Sequence, residues 1–409
     1  MRLLFITILS ILFLRSEARI IMAGPTAEIK ELRKALALAR DGDSILLQAG
    51  IYKEGSLLIE RSISLIGTNA ILDGEKKYQV LLVSGKNILI SGLTIRNAGY
   101  SAMEDFAAVK VVDASNVTIE NCHIINAYFA IHISNTRAVV IRNNRIEGTP
   151  RSEQLSGNGI HLWKSNFALI ENNHVTGHRD GIYFEFVTSS TIRRNHSEKN
   201  IRYGLHFMFS NDDAYIQNIF NDNGAGVAVM YSKKVRMEAN RFDLNWGASA
   251  YGLLLKDITD SYIARNIFYK NTVALHMEGT SRIEIRNNDF RNNGWAIKVQ
   301  ASCDNNRFWR NNFTGNSFDV ATNGSVSLNQ FSQNYWDKYE GYDLNHDGVG
   351  DIPFRPVSMY SMIIEENPNA LLLMRSFTVQ LLDKAEKALP VITPGNLTDD
   401  KPMMKYIKQ

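Results

Sequence analysis

The sequence predicts an all-β chain, a right-handed parallel β-helix solenoid with an N-terminal capping helix and a C-terminal helix. Three observations predict it. First, the pattern apolar-x-x-Asn-x-apolar returns about every 22 residues between Cys122 and Trp336, as in Ile141..Asn144..Ile146, Met237..Asn240..Phe242 and Ile285..Asn288..Phe290. Second, its fixed positions take Ile, Val and Phe, whereas a leucine-rich repeat of similar period wants Leu and a helix. Third, each unit runs on into a short alternating stretch such as Gly159-Ile160-His161-Leu162-Trp163, the period-two signature of a strand. Three short strands per coil, joined at Asn and Gly corners that tolerate left-handed backbone, describe coils stacked on their neighbours.

The repeat position reads Cys122, Asn144, Asn173, Asn195, Asn218, Asn240, Asn266, Asn288, Asn311, Asn334. A second Asn often follows five residues on, at Asn200, Asn223, Asn245, Asn271, Asn293 and Asn316. At about 4.8 Å per coil, like side chains fall on like. The expectation is a hydrogen-bonded amide ladder and an interior aromatic file from Phe220 to Phe313.

A solenoid can absorb most of the 409 residues as one unit. The formal net charge is +3, 21% of residues are charged and no basic run stands out, which argues against nucleic acid as a partner. Met1 and Arg2 precede the apolar run Leu3 to Leu14, and Ser16-Glu17-Ala18 offers a cleavage site, so residues 1–18 read as a signal peptide for export to the periplasm. The two cysteines, Cys122 and Cys303, sit about eight coils apart, too far for one bridge.

Residues 19–43 are expected to cap the open end, with Thr26 starting a helix over about 27–39 whose Ile29, Leu32, Ala35 and Leu36 share a face. The β-helix proper is placed at 44–336. Three insertions, Asn97 to Ala107, Thr149 to Gly157 and about Trp246 to Tyr251, fall at one point of the repeat, so they should line one edge of the rod. Residues 337–367 hold an Asp/Gly loop and an extended segment. In 368–409 a helix from about Asn369 to Leu389 precedes a tail expected to be mobile.

Beside the insertions, alternation sends one side-chain set inward and another outward. One outward column is Lys110, His132, His161, Tyr183, His206, Ala228, Leu254, His276, Lys298. Its neighbour is Val112, Ser134, Trp163, Glu185, Met208, Met230, Lys256, Glu278, Gln300. His, Trp, Tyr and Met are unusual on an exposed face. Three readings follow. His206, Met208 and Met230 form a soft set suited to Cu(I); His132, His161, Trp163, Tyr183, Glu185, Lys256 and His276 form a docking face for a partner; or the C-terminal helix lies on the face. Separately, Asp343, Asn345, Asp347 and Asp351 with Gly348 follow the start of a calcium loop, although position 12 is Phe354.

These segments resemble the NosD family of nitrous-oxide-reductase maturation factors. The resemblance is carried by Asn158-Gly159-Ile160-His161-Leu162-Trp163, Asp180-Gly181-Ile182-Tyr183-Phe184-Glu185, Leu205-His206-Phe207-Met208-Phe209-Ser210-Asn211-Asp212, Val229-Met230-Tyr231-Ser232, Asn334-Tyr335-Trp336 and Asp343 through Pro356. It implies a periplasmic, non-enzymatic accessory role in assembling the reductase's copper centres. The implied partners are an ABC-type transporter's membrane and ATPase subunits, a copper chaperone and nitrous-oxide reductase; the chain itself contains no P-loop. The rival class is a polysaccharide lyase, hydrolase or epimerase, or a sugar-binding β-helix. A hydrolase needs paired carboxylates on an open face, and Glu185 and Glu278 are four coils apart.

Overall fold

A computed structural model describes residues 18–101, 103–150, 152–248, 250–324, 328–374, 376–388 and 397–408. The segment 1–18 read as a signal peptide lies outside them, apart from Ala18. Every coil contributes short strands to three long parallel sheets of 14, 12 and 13 strands. Consecutive coils pair in register, as in Ile263↔Ile285 in the 14-stranded sheet, Phe268↔Phe290 in the 13-stranded sheet and Leu253↔Leu275 in the 12-stranded sheet. Alternation turns one side of each strand into a single continuous core.

The amides form the expected ladder. Asn266 Oδ1 accepts from the backbone N–H (2.8 Å) and Nδ2 (3.0 Å) of Asn240, while its own Nδ2 donates to Met237 O and Asn288 Oδ1, both at 2.9 Å. The same geometry runs from Asn144 to Asn334, and Cys122 N–H donates to Asn144 Oδ1 at its head. A second ladder links Asn200 to Asn316. Inside, Phe242, Phe268, Phe290, Phe313 and Trp336 stack within 8° of parallel at centroid separations of 4.0–4.9 Å. Both cysteines are buried free thiols.

The corner chemistry differs from the expectation in one respect. The ladder Asn are not the left-handed residues; the residue just before each of them is, and it can be Asn143, Arg194, Gln217, Ala239 or Arg265. Left-handed backbone costs an L-residue roughly 1–2 kcal/mol. Here the ladder's buried amide bonds hold each corner in that shape, so residue type at the corner is free.

Both ends also depart from the sequence reading. Residues Ile20–Ala23 already form a strand, paired in parallel with Ser44–Leu47, so the solenoid begins within the segment assigned to the cap. The capping helix α1 is shorter, Leu32–Leu38, and buries Leu32 and Ala35. Thr26 does not cap it; its hydroxyl donates to Gln48 Oε1. Instead the Glu54 carboxylate accepts from the N–H groups of Leu32 and Arg33, both at 2.8 Å, an anion at the helix N-terminus supplied from the next coil.

The helix expected from about Asn369 to Leu389 is a 3-10 turn (Pro368–Leu373) followed by α3 (Phe377–Ala388), and a further helix, α2 (Met359–Glu366), precedes it in the stretch read as extended. Pro368 sits just past α2, where its missing N–H stops the helix. Ser358 caps α2 by accepting from Ser361 N–H. Nor does the described part of the tail hang free. Asp399 Oδ2 accepts from Asn334 N–H (3.0 Å), Asn334 Nδ2 (2.9 Å) and Trp336 Nε1 (3.0 Å), taking the place of the next ladder amide. Ile407 exchanges two backbone bonds with the Asn312 side chain.

The Asn266→Ala variant leaves the buried Asn240 backbone N–H and one of its two Nδ2 protons without an acceptor, the other staying on Tyr215 O, at about 2–5 kcal/mol for two unpaired buried N–H groups. A markedly lower thermal unfolding midpoint is expected by circular dichroism, and an unchanged midpoint would remove the ladder from the account of stability.

Candidate functional site

The outer face of the 12-stranded sheet carries the residues singled out above. Register pairs place Lys110, His132, His161, Tyr183, His206, Ala228, Leu254, His276 and Lys298 in one column. Ser134, Trp163, Glu185, Met208, Met230, Lys256 and Glu278 form the neighbouring one.

Outward, however, does not mean exposed. His132 and His206 are only 5% and 4% exposed. The rings pack up the column, edge to face with centroids 4.8 Å apart for His132–His161 and 4.7 Å for His161–Tyr183, and tilted at 4.9 Å for Tyr183–His206. The first two insertions fold over this stack. Tyr100 packs on Tyr128, Asp105 Oδ2 lies 3.7 Å from His132 Nε2, and Glu153 reaches Arg202 at 3.5 Å. Between the insertions a cleft of about 280 Å³ is lined by Tyr100, Tyr128, Leu155 and His178. At the other end α2 and α3 cover Val273, Trp295 and Phe318, and Lys298 pairs with Glu365. Thus the C-terminal helices lie on the face, but only on its last coils.

What stays open is the stretch between. Trp163, Glu185, Met208, Met230 and Lys256 are half-buried, and Lys256 pairs with Glu278 at 3.2 Å. Met208 and Met230 are register partners, and the Tyr183 hydroxyl donates to Met208 Sδ at 3.5 Å. Beside them, at left-handed corner positions, Phe186, Phe209 and Tyr231 form an exposed stacked ridge with centroids 5.0–5.1 Å apart.

Sequence reasoning missed a third line, at the start of these strands: Asp180, Tyr203, Ala225 in register, then Tyr251, Val273, Trp295. Strict alternation would send it inward with Leu205. Yet the Tyr203 ring meets His206 at 4.9 Å, on the outer side. The signal was the aligned Gly181, Gly204, Gly226 and Gly252 one residue on, where a Cβ would strike the next coil's backbone oxygen at 2.4–2.7 Å for Gly226 and Gly252. Asp180 from this line is fully buried and held by Arg202 through two bonds of 2.9 and 2.6 Å. Its Oδ2 lies 3.5 Å from His206 Nδ1, which Arg202 also approaches at 3.2 Å. Burial raises the Asp180 pKa, but the bonds from His206 and Arg202 outweigh it and keep the carboxyl below its usual range.

His206 Nε2, His132 Nδ1 and both nitrogens of His161 are buried without a hydrogen-bond partner among the described residues. Burial pushes the pKa of His161 down to about 3 and that of His132 down to about 4. Burial likewise pushes His178 down to about 4 and lifts the Tyr183 phenol to about 12.

The Asp343-to-Asp351 loop presents its oxygens to itself. Asp343 accepts from Asp347 N–H and Gly348 N–H, Asp347 from Val349 N–H, and Asp351 from Leu344 N–H. Among the described residues, Asp343, Asp347 and Asp351 do not form a group of ligands drawn within 4.8 Å of one another. Val349 in this loop is bridged to Met403 of the C-terminal segment.

Stacked parallel coils in three sheets define a right-handed β-helix protein, and a family model for a right-handed β-helix region matches residues 41–168. The chain belongs to the NosD family. A family model described as periplasmic copper-binding protein (NosD) matches residues 142–341. The chain is 30% identical over 394 residues to the probable ABC transporter binding protein NosD of Stutzerimonas stutzeri, covering 90% of this chain and 89% of the relative. Its likeness to the namesake of Pseudomonas aeruginosa is the same, 30% over 392 residues with 90% of each covered. Among solved structures, the catalytic unit of an α-1,3-glucanase from Streptomyces thermodiastaticus superposes with a TM-score of 0.58 at 14% identity, over 75% of this chain and 65% of that one, a likeness of fold alone. No helix among the described residues is long and apolar enough to cross a membrane.

A histidine buried neutral stabilises the fold fully above its unfolded pKa of about 6.5. That contribution is lost as pH falls through the folded value, so the thermal midpoint should drop between pH 6.5 and about 4. The His161→Leu variant should flatten that drop in a pH series of melting curves.

Proposed function

We propose that this chain is a periplasmic accessory factor for assembling the copper centres of nitrous-oxide reductase, working with an ABC-type transporter and a copper chaperone. One observation carries the reading: Met208 and Met230 are register partners on the open stretch of a groove that is covered at both ends, with His206 buried in the adjoining column. Thioether and imidazole are the donors that a soft monovalent ion prefers. His206 Nδ1 is held between the Asp180 carboxylate and the Arg202 guanidinium, so Nε2, which has no partner among the described residues, is the ring nitrogen left for a ligand. Copper is cargo in this reading, and the half-buried pair Met208 and Met230 gives it an exit toward a docked partner.

The flanking ridge of Phe186, Phe209 and Tyr231, with Trp163, Glu185, Lys256 and His276 along the groove, is the docking surface for the protein that delivers or receives the ion. His132 and His161 line its covered floor. The ridge's rings stack within 14° of parallel and offer edges, not faces, to solvent, which suits protein contact better than sugar stacking. A glycoside hydrolase would need a carboxyl holding a proton near neutral pH. In this groove Asp180 and Glu153 pair with Arg202, Glu278 pairs with Lys256, and Asp180 stays ionised.

The transporter side of the reading rests on the C-terminal segment. Leu371, Leu372, Leu373, Phe377 and Leu381 are exposed there, with Leu372 at 91%. An apolar row of this kind marks a contact surface.

In an anaerobic Cu(I) competition titration, the purified protein should take up one equivalent, and the triple variant His206→Ala, Met208→Ala, Met230→Ala should take up none. Absence of binding to the parent chain would leave the groove as a docking surface and place the metal on a partner. Charge introduced by Leu372→Glu with Phe377→Glu should abolish co-purification with the transporter while Cu(I) uptake is kept.

A further inference from the structure

A second face of the rod also gathers imidazoles. On the 13-stranded sheet, His174 and His196 are register partners, and their rings stack with centroids 5.0 Å apart. Glu198 follows His196 by two residues, on the same side of the strand. His174 Nε2 lies 3.0 Å from Glu198 Oε1, and His196 Nε2 lies 3.6 Å from Glu198 Oε2. His196 Nε2 is also 2.6 Å from Asn221 Oδ1 on the next coil. The two imidazole nitrogens and a carboxylate oxygen lie within 4.8 Å of one another, the one such group of three His, Cys, Asp or Glu ligands among the described residues.

An ordinary surface ion pair does not call for this arrangement. A single carboxylate serves two imidazoles, each through a different oxygen. His196 Nε2, which carries at most one proton, faces two oxygen acceptors at once. Ligands about 2.0–2.2 Å from a tetrahedral ion stand roughly 3.3 Å apart, and the contacts of 3.0 and 3.6 Å bracket that spacing. The set contains no sulfur, so it favours a borderline divalent ion over Cu(I). With side-chain exposures of 34% and 40% for the histidines and 19% for Glu198, the cluster is open on one side to water or to a partner's ligand.

We propose that His174, His196 and Glu198, with the amide oxygen of Asn221 beside them, form a site for a divalent transition-metal ion of the Zn²⁺ kind on the outer face of the 13-stranded sheet. The ion would bridge successive coils, since His174 belongs to one and His196, Glu198 to the next. Binding to the folded chain alone also stabilises it. The site uses other residues and another class of metal than the copper groove, so either assignment can fail without the other.

The test is a Zn²⁺ titration by calorimetry of the purified metal-free protein, beside Glu198→Gln, the double variant His174→Asn, His196→Asn, and the triple alanine variant of the groove. One equivalent is expected in the parent and in the groove variant, with at least tenfold weaker binding in Glu198→Gln and none in the double variant. X-ray absorption of the zinc-loaded parent, which needs no variant to fold, should show two imidazoles, oxygen and no sulfur. No uptake by the parent, unchanged uptake by the folded double variant, or a sulfur-bearing spectrum would overturn the proposal.

Discussion

The constraint on which the rest depends is the amide ladder at the corner. A chain that turns sharply three times per coil strands backbone N–H groups where neither sheet nor water can reach them, and a buried unpaired donor costs about 1–3 kcal/mol. The ladder Asn answers this twice over, accepting from the coil before through Oδ1 and donating both back to a carbonyl and on to the next amide through Nδ2. A slip of one coil's register by a single residue would break several of these bonds together. Register is therefore fixed, and so is the lateral position of every other side chain.

Fixed register explains both the inside and the outside of the rod. Inside, it stacks Phe on Phe at ring-contact distance and yields a core of uniform width. Outside, it does the same to whatever the sequence supplies: imidazoles on the 12-stranded sheet, and two histidines with a glutamate on the 13-stranded one. Stacked histidines cannot all be charged when they are also covered. Burial keeps His132 and His161 neutral, with nitrogens that have no internal partner, while Arg202 keeps Asp180 ionised beside them. This is an environment of neutral nitrogen and sulfur donors over an anchored carboxylate.

The fold is shared with the catalytic unit of an α-1,3-glucanase. The insertions that leave the rod near Tyr100 and Glu153, and the helices that return to it near Trp295, close the two ends. The middle coils remain accessible beside an apolar ridge. An ion held at the groove and a partner seated on the ridge would then share one short stretch of surface, which is what a transfer between proteins requires.

Much of this was readable in the amino-acid order. The period, the Asn at one position and the Phe two residues on were enough to give the solenoid, the ladder, the aromatic file and the columns that hold His206, Met208 and Met230, because each rests on nearest-neighbour stacking. Three features were decided only by the folded chain. Whether His132 is wet or dry depends on the insertion that brings Asp105 against it, and no local pattern reports that. The outward line of Asp180, Tyr203 and Tyr251 arises because aligned glycines let the strands bend before alternation takes hold. The ends depend on long-range substitutes, Glu54 for a helix cap and Asp399 for the missing next amide, and such replacements carry no periodic signal. The sequence by itself thus determined the repeating unit and its register, which are local, while tertiary structure decided what covers that unit and what completes it at either end, where the repeat stops and distant segments must satisfy the groups it leaves open.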